Sequence, residues 1–433
     1  NLFMLWKKGY KLYIFVILCT VMLVISIQIF ISASVTTQAH SAESFINSIG
    51  VAVHLNYIDT PYGKYNEIIK PRLQELGVHH IRDGLILEDL ETKKKFKDLA
   101  EIGIKSTLVM DPRDNNTPSR AVSVVKSVLE SVEAIEGANE WDISPQFQYK
   151  AQSFPEGVRQ FQTELYSAIK KDPVTAHISV LSPSMAYAPN AVKLGIVPCD
   201  IGNMHSYPGG ETPIAGIDDL WMPNIKILCG QDKPLMASET GYHNGINIEG
   251  GHRGVSEKAA AKYLLRLYFE YFNRGIKRAF TYELIDIKPS SPKEWNFGLL
   301  RYDGLPKADF IALKNLISLL QDSEVIDFKS TFPTSLNYSL KGDETNIHRT
   351  LLQKSNGNFY LILWQEVPSF DHKTKADLII QDRPLTLTLN TAISEAFTYQ
   401  PVNSTIPIKK YINVKTMNLK VPDHPLVIEL IPD

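Results

Sequence analysis

Residues 134–142 read AIEGANEWD, so that an amide, an acid and an aromatic side chain directly follow an apolar run. Apolar strands need turn residues at their ends, but a turn does not require Asn139, Glu140 and Trp141 side by side. A second isolated acid, Glu239, follows the run Pro-Leu-Met-Ala-Ser. Because an acid is costly to bury unless it is paired or hydrogen-bonded, both carboxyl groups are candidates for a functional site.

Two carboxyl groups that face each other across one cavity do not titrate alike. One is held protonated and can act as an acid, while the other stays ionised and can act as a nucleophile. Hydrolysis of a glycosidic bond needs this arrangement, and a separation of about 5–5.5 Å gives retention of configuration through a covalent intermediate. Glu140 and Glu239 can carry out this chemistry only if the fold brings them together.

The segment between residues 45 and 322 alternates short apolar strands with amphipathic helices. Such alternation predicts parallel strands covered by helices, and eight repeats predict a closed (β/α)₈ TIM barrel. An open doubly wound sheet is the alternative, but it favours a G-x-G-x-x-G turn after the first strand, and HLNYIDTPYG lacks one. The predicted strands are residues 49–57, 78–84, 106–112, 132–141, 177–185, 200–208, 234–243 and 276–286.

The carboxyl ends of barrel strands point to the face where active sites are built. The polar residues at the predicted strand ends are therefore expected on that face. In chain order they are His54, Asn56, Arg82, Asp83, Asp111, Asn139, Glu140, His205, Tyr207, Glu239, Tyr242, His243, Tyr282, Glu283 and Asp286.

The pattern changes after residue 325. Short alternating runs such as TSLNYSL and NFYLILWQE are separated by Asn, Gly, Asp and Pro, and helix-period segments of any length are missing. This pattern predicts an all-β domain, a sandwich, over residues 325–433, after a barrel over residues 43–324.

The N-terminal part has a different character. Residues 12–35 carry no charge and follow Lys7, Lys8 and Lys11. The run is long enough to cross a bilayer as a helix, and the preceding lysines would keep the N-terminus cytoplasmic. We interpret residues 1–42 as a membrane anchor, with a cleavable signal peptide as the alternative. In either case the remainder is expected outside the cytoplasm, tethered to the membrane or secreted.

Composition argues against nucleic acid as a partner and leaves open whether two cysteines form a disulfide. The formal net charge of −2 gives no indication of a nucleic-acid-binding surface. Cys199 and Cys229 can pair in an exported chain, or they can be buried free thiols. His79 and His80 are adjacent in a predicted strand and so face opposite sides. We therefore expect no catalytic metal, and no cofactor.

Asn-Glu at the end of the fourth strand and Glu at the end of the seventh resemble the clan A retaining glycoside hydrolases. That superfamily is built on (β/α)₈ barrels, often with a C-terminal β-sandwich. The resemblance implies that Glu140 is the acid/base, Glu239 is the nucleophile and Asn139 binds the sugar 2-hydroxyl. The expected partner is a carbohydrate, either an oligosaccharide, a polysaccharide or a glycoconjugate.

Other positions are also similar to this superfamily. Arg82 resembles the arginine that orients the nucleophile, while His205 and Tyr207 in MHSYP resemble the strand-6 pair that supports it. The superfamily usually has a tryptophan platform for the sugar at the end of strand 8, where this chain has FTYELID. Tyr282 or Trp295 would have to replace that platform.

Two departures keep other functions open. This chain has Asn-Glu-Trp where the superfamily usually has Asn-Glu-Pro, and it lacks the strand-8 tryptophan. A non-catalytic, surface-tethered carbohydrate-binding protein on a degenerate barrel is therefore the alternative. A barrel enzyme for phosphorylated metabolites is less favoured, because EGGHRG (249–254) is a weak match to a phosphate site and such substrates are not expected outside the cell.

Overall fold

The structure is a computed structural model that describes residues 34–248, 251–289, 296–322 and 333–432. Nearly all of the predicted N-terminal apolar segment, and Trp295, lie outside these ranges. Within them, no helix has the length and apolar character needed to cross a membrane. The described chain starts with two short strands, β1 (Val35–Gln38) and β2 (His40–Ser41), and helix α1 (Ala42–Ile46).

The first sheet contains eight strands, and every neighbouring pair in it is parallel. A further parallel bridge between Leu181 and Ile201 joins its two end strands, so the sheet closes on itself. The strands are β3 (Ile49–Ala52), β4 (His80–Gly84), β5 (Lys105–Val109), β6 (Val132–Glu136), β7 (Ser179–Val180), β8 (Gly202–His205), β9 (Leu235–Thr240) and β10 (Ala279–Thr281). Each strand overlaps one of the eight predicted segments, and only β5 extends beyond its segment, by one residue at Lys105.

Helices cover the outside of this barrel. Their starts follow ordinary capping chemistry, since the Asp89 carboxylate accepts from Thr92 N and the Ser256 hydroxyl accepts from Ala259 N. The short helices α6 and α7 were not predicted, because they are too brief to show a helical period. The helices are α2 (Lys70–Leu76), α3 (Leu90–Glu101), α4 (Pro118–Ser127), α5 (Glu156–Lys171), α6 (Ala191–Leu194), α7 (Met222–Cys229), α8 (Glu257–Asn273) and α9 (Ala308–Leu320).

The second sheet has the order β1-β11-β16-β18-β13-β12-β2, with β17 paired to β16. The first part of β16 pairs with β11 and its last part pairs with β18, which gives a sandwich-like arrangement around an apolar interior. The strands are β11 (Ser335–Gly342), β12 (Ile347–Gln353), β13 (Phe359–Gln365), β14 (Phe370–Asp371), β15 (Ala376–Asp377), β16 (Arg383–Tyr399), β17 (Lys409–Val421) and β18 (Leu426–Ile431); β14 and β15 form a separate hairpin.

Residues 35–41, which were predicted to belong to the N-terminal segment, are part of this second sheet. β1 pairs antiparallel with β11, placing Val35 opposite Tyr338, and β2 pairs parallel with β12. The chain therefore contributes to the second sheet before it enters the barrel. Local sequence does not reveal such a pairing, because the partner strands are about 300 residues away.

Helix α8 lies at the junction of the two sheets. The fully buried Arg266 donates from Nε to Glu366 Oε2 at 2.8 Å, and Lys262 donates to both oxygens of Asp423 at 2.8 and 2.7 Å. The ring of Phe269 stacks on Trp364 with centroids 5.5 Å apart. Barrel residues and one face of the second sheet thus share a continuous apolar core.

Candidate active site

A cavity of about 670 Å³ opens at the carboxyl ends of the barrel strands. It lies on the face where barrel enzymes carry their active sites. Seven of the eight predicted site residues line it, while Trp295 falls outside the described residues. The seven are Arg82, Asn139, Glu140, His205, Tyr207, Glu239 and Tyr282.

Glu239 stands near the end of β9 and is 13% exposed. Arg82 Nη1 donates to its Oε1 at 2.5 Å, and the Tyr207 hydroxyl donates to its Oε2 at 2.7 Å. Nδ1 of His205 lies 3.6 Å from the same Oε2. Three side chains from other parts of the barrel therefore hold this carboxylate.

These neighbours determine the charge of Glu239. Burial alone would raise the pKa of its carboxyl group, but the charges of His205 and Arg82, with the hydrogen bonds from Tyr207 and Arg82, lower that pKa to about 2. Glu239 is consequently ionised over the whole physiological range, as a nucleophile must be.

Glu140 follows β6 in a tight turn, with φ of 54°. Its Oε1 lies 2.7 Å from Nδ1 of His205, whose Nε2 lies 3.0 Å from the Ser238 hydroxyl. His205 was predicted to support the nucleophile alone, but it contacts both acids and lies closer to Glu140. One carboxylate oxygen of Glu140, one of Glu239 and a ring nitrogen of His205 all lie within 4.8 Å of one another.

Arg82 connects Glu239 to the buried interior. Its Nε donates to Glu136 Oε1 at 3.0 Å, its Nη2 also contacts that oxygen, and Nη2 donates to Asn139 Oδ1 at 2.8 Å. The other oxygen of Glu136 accepts from Asn203 Nδ2 at 3.1 Å. Because the amide oxygen of Asn139 is engaged by Arg82, only its Nδ2 side can face a ligand.

Aromatic side chains also line the cavity. The Tyr282 hydroxyl lies 3.2 Å from His54 Nε2, and the imidazole of His54 stacks on Tyr57 with centroids 4.4 Å apart. Phe297 packs edge-on against Tyr207 and Tyr282, at 5.5 and 5.7 Å between centroids. Such a wall suits the apolar face of a sugar ring.

Solved structures of similar architecture include several glycoside hydrolases. A family 39 glycoside hydrolase from Bacteroides cellulosilyticus has 16% sequence identity, with 90% of this chain and 82% of the other covered and a TM-score of 0.55. A β-xylosidase from Caulobacter crescentus has 13% identity, 92% and 98% coverage and a TM-score of 0.58. A family 39 enzyme from Xanthomonas axonopodis pv. citri has 14% identity, 92% and 96% coverage and a TM-score of 0.58.

This chain has the fold of the family 39 glycoside hydrolases. That family lies within clan A, the superfamily that the sequence resembles. The similarity therefore confirms the architecture that was predicted, a barrel followed by a second, β-rich part. No family model matches the sequence, and no curated protein matches it either.

The structure also places at the site three residues that were not predicted for it. In the sequence, Glu136 is the last residue of an apolar strand, and sequence alone could not distinguish its side chain from a surface acid. Phe297 lies two residues after Trp295, which was predicted instead as a replacement for the missing strand-8 tryptophan. Asp111 was noted only as a strand-end acid, yet it bonds the turn that carries Glu140.

Two further ionisable groups line the cavity with strongly shifted pKa values. Burial raises the pKa of Asp83 to about 8, despite hydrogen bonds from the backbone N–H groups of Leu55 and Gly84. Burial lowers the pKa of His54 to about 4, against the opposing charge of Glu239. At neutral pH, His54 is therefore neutral and Asp83 is largely protonated, so neither adds a full charge.

Glu140, His205 and Glu239 are also residue types that ligate cations, and they are close enough together to do so. However, both oxygens of Glu239 already accept hydrogen bonds, from Arg82 and Tyr207. The positive charge of Arg82 further disfavours a cation at this position. The geometry fits a pair of acids held by hydrogen bonds better than a metal centre.

Proposed function

We propose that this protein is a retaining glycoside hydrolase that cleaves O-glycosidic bonds by double displacement. The observation that carries the proposal is the proximity of the two acids, since oxygens of Glu140 and Glu239 lie within 4.8 Å of each other. Retaining enzymes hold their carboxyl groups about 5–5.5 Å apart, whereas inverting enzymes leave about 6.5–9.5 Å for a water molecule.

In the first step, an oxygen of Glu239 attacks the anomeric carbon as the bond from that carbon to the leaving oxygen breaks. The carboxyl proton of Glu140 passes to the leaving oxygen. In the second step, Glu140 takes a proton from water as the water oxygen attacks the same carbon. The bond to Glu239 then breaks, which releases the sugar and restores both acids.

The surrounding groups support these two roles. Arg82 and Tyr207 stabilise the ionised form of Glu239 and hold it in place, and the Nδ2 side of Asn139 is available for the sugar 2-hydroxyl. His205 contacts both acids and orients Glu140. Tyr282, Phe297 and Trp295 are candidates for the platform under the sugar. No cofactor is needed.

The cellular setting is a proposal of its own. Cys199 and Cys229 are disulfide-bonded, with Cα atoms 5.6 Å apart, and such bonds persist mainly outside the cytoplasm. Together with the predicted N-terminal segment, this supports a protein that works outside the cytoplasm on a glycan, tethered to the membrane or secreted. The similarity to the Caulobacter β-xylosidase suggests a β-xyloside as the first substrate to test.

The test is to trap the covalent intermediate. The full-length chain is incubated with a panel of 2,4-dinitrophenyl 2-fluoro-glycosides that begins with the xyloside, and its intact mass is measured. We expect a mass gain with one sugar that peptide mapping assigns to Glu239. Glu239→Gln should give no adduct, whereas Glu140→Gln, which keeps the nucleophile, should still be labelled, because dinitrophenolate leaves without protonation.

The outcome that contradicts this function is equally specific. If folded wild-type protein gives no adduct and no hydrolysis across a broad panel, but binds glycans on an array, the chain is the carbohydrate-binding alternative. An adduct on another residue would instead contradict the assignment of Glu239.

A further inference from the structure

The turn that carries Glu140 does not hold its shape through local preferences alone. Glu140 adopts φ of 54° and ψ of 39°, in the left-handed region that non-glycine residues rarely occupy. A conformation of this kind persists only where surrounding contacts impose it. The contacts around residues 139–143 therefore bear directly on where the Glu140 carboxyl group points.

Asp111, at the end of the neighbouring strand, makes most of these contacts. Its Oδ2 accepts from Asn139 N at 2.8 Å, and both of its oxygens lie 3.2 Å from the indole Nε1–H of Trp141. The residues on both sides of Glu140 are thus bonded to one carboxylate that is only 1% exposed.

Arg113 fixes Asp111 in turn. Its Nε and Nη2 form a fork on the two carboxylate oxygens, at 2.9 and 2.8 Å, and Nη2 also donates to Asn139 O at 3.2 Å. The guanidinium lies 4.5 Å from the ring centroid of Phe147, which packs against Trp141 with centroids 5.6 Å apart. Asp111 is therefore an immobile acceptor.

The other end of the turn is bonded to the loop after β7. Asp142 accepts from Ala186 N at 2.9 Å and from Tyr187 N at 3.0 Å, and Glu140 N donates to Ser184 O at 3.2 Å. These bonds close the turn from the opposite side, so that a change at Asp111 would release it mainly towards β5.

We propose that Asp111, acting through Asn139 and Trp141, is a positioning residue that holds Glu140 where the leaving-group oxygen must be protonated. The inference rests on the proposed function. It also accounts for the Asn-Glu-Trp sequence, because the indole N–H gives the turn a fixed attachment that an Asn-Glu-Pro sequence could not provide. Asp111 touches neither the sugar nor the reacting atoms in this account.

The consequence is a dependence on the leaving group. A general acid must come within about 2.6–3.2 Å of the atom that it protonates, and a displacement of about 1 Å can cost about 100-fold in rate. Methyl and phenyl glycosides need that proton, whereas dinitrophenyl glycosides do not. The parameter kcat/KM reports the first displacement only, so it isolates the step in which Glu140 acts as an acid.

The experiment measures kcat/KM for the phenyl and the 2,4-dinitrophenyl glycoside of the same sugar. We expect Asp111→Asn to lower the value by about 30- to 100-fold for the phenyl glycoside but by less than about threefold for the dinitrophenyl glycoside. Trp141→Phe, which removes the indole donor and preserves most of the ring, should lower the phenyl value by about tenfold with the same selectivity.

Asp423→Asn is the matched control. Asp423 is also a buried carboxylate with a cationic partner, Lys262, but it lies at the junction with the second sheet. This variant should leave the ratio of the two kcat/KM values at the wild-type level. If Asp111 had a merely structural role, Asp111→Asn would lower kcat/KM equally for the phenyl and the dinitrophenyl glycoside. That result would overturn the proposal, and so would a wild-type ratio of the two kcat/KM values in both Asp111→Asn and Trp141→Phe.

These outcomes are distinct from failure of the proposed function. If wild-type protein hydrolyses neither glycoside and gives no trapped adduct, the function itself is wrong. If wild-type protein is active and the variants at Asp111 and Trp141 leave the ratio of the two kcat/KM values unchanged, only the positioning role is wrong. Should Asp111→Asn fail to fold, Trp141→Phe still decides the question.

Discussion

The ionised state of Glu239 depends on its neighbours more than on its own chemistry. Burial opposes a charge at this position, and His205, Arg82 and Tyr207 outweigh that effect. Of the three, Tyr207 can be altered most cleanly, because replacing it by phenylalanine removes one hydroxyl donor at 2.7 Å and leaves the other two side chains in place.

We expect Tyr207→Phe to move the acidic limb of the pH profile of kcat/KM to higher pH. In the proposed mechanism Glu239 must be ionised, and its pKa is lowered in the folded protein, so the loss of a donor to the charged form raises that pKa. A hydrogen bond to a charged group contributes about 1.5–3 kcal/mol, which corresponds to a shift of about one to two pH units. The measurement is the pH profile with an activated glycoside.

Tyr268→Phe provides the comparison for this prediction. Tyr268 is also buried, but its hydroxyl donates to Gly50 O at 2.9 Å rather than to a catalytic acid. The acidic limb of the kcat/KM profile of Tyr268→Phe should coincide with that of wild-type protein. An unshifted limb in Tyr207→Phe would mean that this hydroxyl does not control the ionisation of Glu239.

At the scale of elements, helix α8 and strand β12 meet through an ion pair that responds to pH. Nδ1 of His348 lies 2.5 Å from Glu270 Oε1, and Trp364 Nε1 donates to the same oxygen at 3.1 Å. The hydrogen bond to Glu270 raises the pKa of His348 above its ordinary value of about 6.5, although burial opposes this.

The sign of the resulting stability effect follows from linkage. A histidine with a raised folded-state pKa stabilises the fold fully below its unfolded pKa of about 6.5, and this contribution is lost as the pH rises through the folded value. We therefore expect His348→Gln to lower Tm more at pH 6 than at pH 9. Thermal melts of both proteins at the two pH values provide the measurement.

Comparing His348→Gln with wild-type protein removes the contribution of the other histidines to the pH dependence of Tm. His54 and His424, whose pKa values burial lowers to about 4, titrate in the opposite sense but are present in both. An equal difference in Tm at pH 6 and pH 9 would show that the His348–Glu270 pair contributes no pH-dependent stability.

At the scale of the whole molecule, the barrel and the second sheet depend on each other. β1 and β2 precede the barrel in sequence yet pair with strands that follow it. The buried guanidinium of Arg266 has its acidic partner, Glu366, on the far side of the junction. Removing one member of a buried ion pair typically costs about 3–5 kcal/mol, and the apolar face of α8 would be exposed as well.

We therefore expect residues 34–322, expressed without the second sheet, to aggregate or to melt without a cooperative transition. Residues 34–433 should instead unfold in a single calorimetric transition. Solubility, circular dichroism and scanning calorimetry of the two chains provide the measurements. A soluble, cooperatively folding 34–322 fragment that still forms the 2-fluoro-glycoside adduct would show that the barrel is independent.

The order of the elements and the identity of the predicted residues around the cavity follow from the sequence alone. Eight apolar strands alternating with amphipathic helices leave few arrangements other than a barrel, and parallel strands place their carboxyl ends on one face. For this reason the residues that line the cavity could be identified before any contact was known, namely Arg82, Asn139, Glu140, His205, Tyr207, Glu239 and Tyr282. The role of Trp295 stays a prediction, since that residue lies outside the described ranges.

Which of these groups contact one another depends on the three-dimensional packing of the chain. The separation of the two acids, the bridging position of His205 and the contacts of Arg82 with Glu136 and Glu239 depend on how the barrel closes, because they join residues 34 to 157 positions apart. The bond from Trp141 to Asp111 and the pairing of β1 with β11 likewise connect distant parts of the chain. Local patterns specify strands and helices, whereas contacts of this kind arise from packing and are not written in any single segment.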